Sequence, residues 1–370
     1  MRPKTFDVVI VGGGIVGAAC AKELAAAGLR VGICEESDHL GGGATGAGMG
    51  HIAVMDDSEA QFALTSYSQK LWRQIASDLP STAEYLASGS LWVAADEEEF
   101  REVHRKYNFY AERGIPVEIL DSRQTAEAEP QLRPGLAGAL LMSADGVCYP
   151  PCAADYFASR AEKRFNQRVV EISDAGVQTA DGTPITAGAV ILATGASISQ
   201  LIPGVAVYPR KGHLLITDRY PGFLRHQVIE LGYLKSAHTS TADSVAFNAQ
   251  PRITGQILIG SSRQYKVDDP AVEQKMLSDM LKRAIQYMPG LENLSAIRVW
   301  TGFRAATPDK LPLIGLWPGC KNVYLATGHE GLGISTSLAT ARLLADQILG
   351  RPSEISRLPY EPARSFAADA

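Results

Sequence analysis

The run Val8–Val11 followed by Gly12, Gly14 and Gly17 constrains this chain more than any other feature. Four apolar, β-branched residues have the composition of a buried parallel strand, and glycines in G-x-G-x-x-G spacing then turn the chain tightly into a helix. Each glycine has its own steric task. Gly12 permits the turn, Gly14 lets the backbone approach a pyrophosphate, and Gly17, with the small Ala21, lets the helix lie close on the strand. The phosphates then meet unpaired N–H groups at the helix N-terminus, next to Ile15 and Val16. A second strand, Arg30 to Cys34, ends at Glu35 and Glu36. An acid about 20 residues beyond the glycines accepts hydrogen bonds from both ribose hydroxyls and repels a 2′-phosphate. Strand, turn, helix, strand and acid in register therefore imply an adenine dinucleotide and disfavour NADP.

Bulk properties exclude several other classes. A chain of 370 residues with 46% hydrophobic composition has enough apolar material for roughly two domains. The formal charge of -5, without a polybasic run, argues against a nucleic-acid surface. No stretch reaches the about 18 consecutive apolar residues of a transmembrane segment. The opening MRPKTFDVVIVGGG sets basic residues before an apolar run, as a signal peptide does, but glycines break the run and it opens a strand. A cytoplasmic protein is expected. Cysteines 20, 34, 148, 152 and 320 are scattered, and Cys20 and Cys34 fall inside the first helix and the second strand, where they read as small buried hydrophobes. The one close pair, in CYPPC, has neither zinc-site nor redox spacing, so no metal is expected.

Three further segments separate NAD from FAD. GGGATGAGMGHI, beginning at Gly41, is too long for an ordinary connection and leaves the backbone bare along Gly43, Ala44, Thr45, Gly48, Met49, Gly50 and His51. VILATGAS is an apolar strand ending in Ala193, Thr194 and Gly195. NVYLATGHEGLGISTSLATARLLADQILG gives a strand, a glycine turn and a long helix whose Leu338, Ala341, Leu344, Ala345 and Ile348 recur at helical spacing.

Together these segments resemble the glycine oxidase, sarcosine oxidase and D-amino acid oxidase family of FAD-dependent amine oxidoreductases, over nearly the whole chain. The most specific part is WTGFRAATPDKLPLIG, Trp300 to Gly315, which is similar to that family's G-x-R-x-x-T-P-D-x-x-P-x-I-G signature. The Gly328-His329 pair stands where the disulfide-reductase branch of flavoproteins carries Gly-Asp. The resemblance implies FAD. It also implies an α/β Rossmann-type FAD-binding domain interleaved with an antiparallel-sheet α+β substrate domain. The expected divisions are 1–80, 148–205 and 316–370 for FAD, and 81–147 and 206–315 for substrate. GSLWVAADEEEF and VYPRKGHLLITD read as strands of alternating character. VAFNAQPRITGQILIGSSRQY reads as a hairpin turning near Thr254-Gly255, and DPAVEQKMLSDMLKRAIQYMPG as a helix packed outside the sheet.

In this family an amine with a carboxylate on its α-carbon gives up its Cα hydrogen to flavin N5, and the C–N bond becomes an imine. Arg304 falls on the signature arginine, and a planar guanidinium grips a carboxylate bidentately. The competing role for Arg304 is an ion pair with Asp309. No strong acid or base is required, because a desolvated pocket lowers the ammonium pKa enough to supply the neutral amine. Gly331, Leu332, Gly333 and Ile334 bring the last helix's positive end toward the flavin, where it stabilises the anionic reduced ring. His329 adds a charge or hydrogen bond there or is simply a turn residue. His51 lines the pocket or packs, and Tyr233 offers a hydroxyl to substrate or packs in a strand.

Relatives that attach flavin covalently do so through a cysteine or histidine at positions matching Gly302 and Ala47 here, so noncovalent FAD is expected. RKGHLLITD and GATGAGMGHI resemble most closely the bacterial imino-acid dehydrogenases, especially those oxidising cis-4-hydroxy-D-proline. Several such relatives pass electrons to partner subunits carrying another flavin or an iron–sulfur centre, for which this chain has no cysteine cluster of its own. The alternatives are a self-contained glycine, sarcosine or D-amino acid oxidase using oxygen, and a flavin-bearing electron-transfer subunit.

Overall fold

The computed structural model describes residues 5–232, 243–265 and 267–364. They form two compact units, each assembled from separated stretches of chain. The first comprises the described residues up to Ala83, Tyr149–Pro209 and those from Phe303 onward, and the second comprises Glu84–Cys148 and Arg210–Gly302.

In the first unit Phe6–Val11 lies at the centre of a sheet, parallel to Val31–Cys34 on one side and to Pro184–Leu192 on the other. Glu162–Arg164 and Val323–Thr327 extend the parallel set, and Leu313–Leu316 closes one edge antiparallel. Val31–Cys34, Val323–Thr327 and the stretch Val8–Val11 are apolar without alternation because both faces are covered, whereas Glu162–Arg164 at the edge is charged. Val9, Ile10, Ile33, Ile191 and Leu325 are wholly buried. The helix Ile15–Ala26 has almost no polar face, and its Gly17, Ala18, Ala19 and Ala21 are buried. A Cβ built at Gly17 would lie 2.1 Å from the Gly12 carbonyl oxygen and 3.2 Å from Ala193 Cβ, so glycine is what lets this helix seat on the sheet. The helix Gly333–Ile348 packs against it, tied by Arg342 Nε donating to Glu23 at 2.8 Å. Leu338, Ala341, Leu344 and Ala345 are buried as the periodicity predicts, but so are Ser335, Thr336, Ser337 and Thr340, while Ile348 is half-buried. This helix is covered on nearly all sides.

The second unit carries a mixed, mainly antiparallel sheet. Gln227–Glu230 runs parallel to Ser90–Ala94, whereas Gly138–Met142, Val117–Asp121, Ser244–Pro251 and Ile257–Tyr265 pair antiparallel. The expected hairpin turns through Arg252–Gln256, with Gly255 at φ +85° and Arg252 N–H donating to Gln256 O at 2.9 Å. One sheet face, including Val93, Val228, Ala249 and Ile259, is covered by the helix Gln274–Tyr287 through Met280 and Ala284, and Phe247 stacks on Tyr287 at 5.1 Å.

The structure corrects three expectations. The division expected at 315 falls between Gly302 and Phe303, so the signature residues from Phe303 onward belong to the first unit. The strand Ala296–Ala306 runs across that boundary, and its end bridges to Glu330. GSLWVAADEEEF is not one alternating strand. Ser90–Ala94 is buried at every position, and Asp96 then accepts from Glu99 N–H at 2.9 Å to cap the helix Glu97–Glu112, with three glutamates at its positive end. Tyr208–Thr217, within VYPRKGHLLITD, is likewise continuously buried from Lys211 onward. All five cysteines are free, and burial pushes the Cys20 thiol up to about 12 and that of Cys34 to about 11.

Gly17→Ala places a methyl against backbone that cannot yield. It should cost at least the about 1–3 kcal/mol of an overpacked core. Gly43→Ala, with φ -82°, ψ -135° and nothing within 4 Å of its Cβ, meets no such clash and should cost less than Gly17→Ala. Thermal unfolding of both variants with flavin removed checks this; equal melting temperatures would contradict the packing argument.

Candidate active site

The glycine turn sits where three strands end. Gly12, at φ +103°, donates its N–H to Cys34 O at 2.9 Å, and Ala193 N–H donates to Val11 O at 2.9 Å. A Cβ on Gly12 would meet Ala193 O at 2.6 Å. The carboxyl ends of parallel strands are where open α/β sheets bind ligands. Glu35 stands at the end of the second strand, accepting from Gly13 N–H at 2.6 Å and Ser37 N–H at 2.9 Å, which fixes its carboxylate beside the turn.

The glycine-rich run beyond Glu35 is less bare than its composition suggests. Ala44–Ala47 forms one helical turn, and Thr45 Oγ1 accepts from Ile15 N–H at 2.9 Å. A Cβ on Gly46 would lie 2.6 Å from Gly41 O, and one on Gly48 3.1 Å from Ile334 Cδ1, so these glycines serve packing. The residues fit a bound dinucleotide. The helices starting at Ile15 and Gly333 have no side-chain cap at Gly14 or Leu332, leaving their N-terminal dipoles for an anionic ligand. The Thr194 hydroxyl is buried without a hydrogen-bond partner among the described residues.

The start of the last helix gathers the remaining candidates. Ser335 Oγ donates to His51 O at 2.9 Å and accepts from Ala53 N–H at 3.1 Å, fastening the strand His51–Ile52 to the first helical turn. The buried Trp72 donates Nε1–H to Ile334 O at 3.1 Å. Arg304 reaches the same turn: its Nε and Cδ lie 3.4 and 3.5 Å from where a Gly331 Cβ would be. Gly331 thus makes room for Arg304. At Gly333 a Cβ would find only ordinary contacts with His329 and Val16.

Several assignments are decided by partners remote in sequence. Arg364 takes Asp309, with Nε to Oδ2 at 2.7 Å and Nη2 to Oδ1 at 3.0 Å. Burial, the largest single influence, raises that carboxyl's pKa, but the bonds from Arg364, Leu311 N–H and Thr307 together with the Arg364 charge hold the group below its ordinary range. The Arg304–Asp309 pairing is therefore not the arrangement found. A charge on His329 is also corrected. Its ring is buried, Nε2 lies 3.0 Å from Thr340 Oγ1, and burial pushes its pKa down to about 3. Burial, with Arg304 as the second cause, pushes His51 down to about 4. Tyr233 lies outside the described residues. Ser335 and Trp72 escaped the sequence reading: a serine opening a helix looks like an ordinary cap, and nothing local reveals a partner 282 residues away. Among the described residues no acidic, histidine or cysteine cluster could hold a metal, and no helix is long and apolar enough to cross a membrane.

The model of the DAO family, FAD dependent oxidoreductase, matches residues 7–347. The chain belongs to this family. Glycine oxidase of Geobacillus kaustophilus is 28% identical, covering 97% of this chain and 97% of its own. The crystal structure of glycine oxidase from that organism superposes with a TM-score of 0.87 at 28% identity, over 98% of this chain and 99% of its own. Glycine oxidase of Pseudomonas aeruginosa is 28% identical over 96% of this chain and 98% of its own. L-proline dehydrogenase of P. horikoshii shares the fold, with a TM-score of 0.86 at 24% identity over 97% of each chain. The protein is accordingly an FAD-dependent oxidoreductase. Its FAD is bound noncovalently, Gly302 and Ala47 having no side chain able to link it.

His329 makes stability depend on pH. Its native pKa of about 3 is below the about 6.5 of an unfolded histidine, so between these values the unfolded chain holds a proton the native state lacks. Stability from this group is full above the unfolded value and falls by about 1.4 kcal/mol per unit as pH drops through the window. His51 acts in the same direction down to about 4. His329→Gln should lower the proton uptake on unfolding between about pH 4.5 and 6 by nearly one. Urea unfolding at several pH values measures this; an unchanged slope would mean that His329 is protonated in the native state.

Proposed function

We propose that the protein oxidises the C–N bond of a small α-amino acid, glycine or an N-alkyl glycine, to the imine, with oxygen reoxidising the cofactor. Bound FAD supplies a two-electron acceptor for the Cα hydride. The chain's own residues orient the substrate. Arg304, set against Gly331 at the start of the last helix, is the observation that carries the reading. Its guanidinium can take both oxygens of a carboxylate, fixing the direction of the Cα–H bond as well as supplying charge. With Asp309 engaged by Arg364, the signature's own acid does not compete for it. Neutral His51 adds no second positive charge against the substrate's amine. Glycine oxidases that align over almost their whole length favour the small substrate and the oxygen acceptor.

Oxidation of cis-4-hydroxy-D-proline is the second reading, and it rests on RKGHLLITD and GATGAGMGHI. Much of the first stretch is engaged within the second unit. Lys211 is buried and donates to Ala271 O at 2.6 Å, while His213 bonds Ser262 Oγ at 2.9 Å and accepts from Glu273 N–H at 3.0 Å. Those residues serve folding, which weakens them as indicators of a cyclic substrate.

Arg304→Ala should leave the flavin spectrum intact and slow anaerobic reduction by glycine or sarcosine at least a hundredfold. That matches the about 2–5 kcal/mol typical of a lost partner in a buried charge pair. Arg304→Lys keeps charge without the fork and should recover part of the rate. Dimethylamine, lacking the carboxylate, should react equally poorly with both wild type and Arg304→Ala. Equal losses for sarcosine and dimethylamine would make Arg304 a structural residue and overturn the assignment.

A further inference from the structure

We propose that Ser335 is a positioning residue for FAD. By clamping the chain at His51–Ala53 to the last helix, it fixes the first turn of that helix relative to the glycine turn, so that one dinucleotide meets both. The inference does not depend on the identity of the substrate.

Two helix starts lie side by side within the first unit. Ile15–Ala26 and Gly333–Ile348 pack on each other, and a Cβ on Gly333 would stand 3.8 Å from Cγ2 of Val16, the second residue of the first helix. Neither start has a side-chain cap. Each therefore keeps the partial positive charge of a helix N-terminus for an anionic ligand. The first adjoins the glycine turn, whose close backbone approach suits the phosphates of a dinucleotide.

The stretch from Thr45 to Ala53 is laced to both starts. At one end Thr45 Oγ1 accepts from the N–H of Ile15, the first residue of the first helix, at 2.9 Å. At the other, Ser335 Oγ donates to His51 O at 2.9 Å and accepts from Ala53 N–H at 3.1 Å. Between them Gly48 leaves room for the last helix, since a Cβ there would lie 3.1 Å from Ile334 Cδ1. Ser335 thus closes a chain of contacts that runs from the glycine turn through the glycine-rich run to the last helix.

Neighbouring hydroxyls serve only their own helix. Thr336 Oγ1 donates to Leu332 O at 2.7 Å and Ser337 Oγ to Ile334 O at 3.0 Å. A serine acting as a cap would accept from the N–H groups of its own helix. Ser335 reaches instead to a segment 282 residues earlier. It is 1% exposed and Ala53 is also buried, so removing the hydroxyl strands a buried N–H as well as freeing the strand.

The test compares FAD with ADP, which carries the adenosine and phosphates but no flavin. The full chain, stripped of flavin, is titrated with FAD by fluorescence quenching, and ADP binding is read from its competition. Ser335→Ala should weaken FAD about tenfold, the loss of one buried hydrogen-bonding group, and change ADP less than about threefold. Ser337→Ala removes an equally buried hydroxyl from the same helix and should leave both affinities unchanged. If Ser335→Ala does not fold, Ser335→Cys, close in volume and weaker as donor and acceptor, is read in the same way. Equal weakening of FAD and ADP, or the same loss in Ser337→Ala, would make Ser335 a packing residue. Unchanged FAD affinity would mean that the clamp does not bear on the cofactor, and a wild-type protein that ADP does not bind would mean that the glycine turn is no separate half of the site. Each of these results overturns the proposal.

Discussion

A side chain at position 17 would have nowhere to go. The Gly17 Cα rides against the Gly12 carbonyl, and that close approach sets the geometry of the first unit. It lets a helix of small residues bury itself between sheet and last helix instead of presenting a polar face to water. It also aims the helix N-terminus at the ends of the strands that stop at Val11, Cys34 and Leu192, where Glu35 is pinned by Gly13 and Ser37. The last helix, packed on the first, brings its own uncapped start near Val16, and Ser335 carries His51 with it. The two helix N-termini and the strand His51–Ile52 thus share one packing constraint.

Charge is distributed with a similar economy. Asp309 is engaged by Arg364 and Glu23 by Arg342, so these acids are committed to holding the chain together. His329 and His51 stay neutral because burial outweighs the gain from protonation. Positive character at the start of the last helix therefore comes from Arg304 and the helix dipole, both fixed in place. Preorganised charge of this kind needs no reorganisation when an anionic group arrives.

What the sequence made legible was local. The glycine turn, its flanking strands and the hairpin around Gly255 follow from residues within a few positions of one another, and the resemblance carried the fold class. What it hid depends on partners far along the chain. Asp309 finds Arg364 55 residues later, and Ser335 finds Ala53 282 residues earlier. The unit boundary escaped notice because Ala296–Ala306 is a single uninterrupted strand with no compositional break at Gly302. Asp96 followed by three glutamates was a readable helix start, but the apolar strand just before it drew the whole segment into a strand reading. Burial of His329 could not be read from a glycine turn, where exposure is the usual expectation.

On the proposed reading, the Arg304 turn serves oxidation of a small open-chain amino acid. Anaerobic titration of the purified FAD-loaded protein with glycine, sarcosine and cis-4-hydroxy-D-proline, followed by readmission of air, tests it most directly. Glycine or sarcosine should bleach the flavin fastest, and air should restore the colour within seconds. Bleaching by cis-4-hydroxy-D-proline alone, or a reduced flavin that persists in air, would contradict that reading.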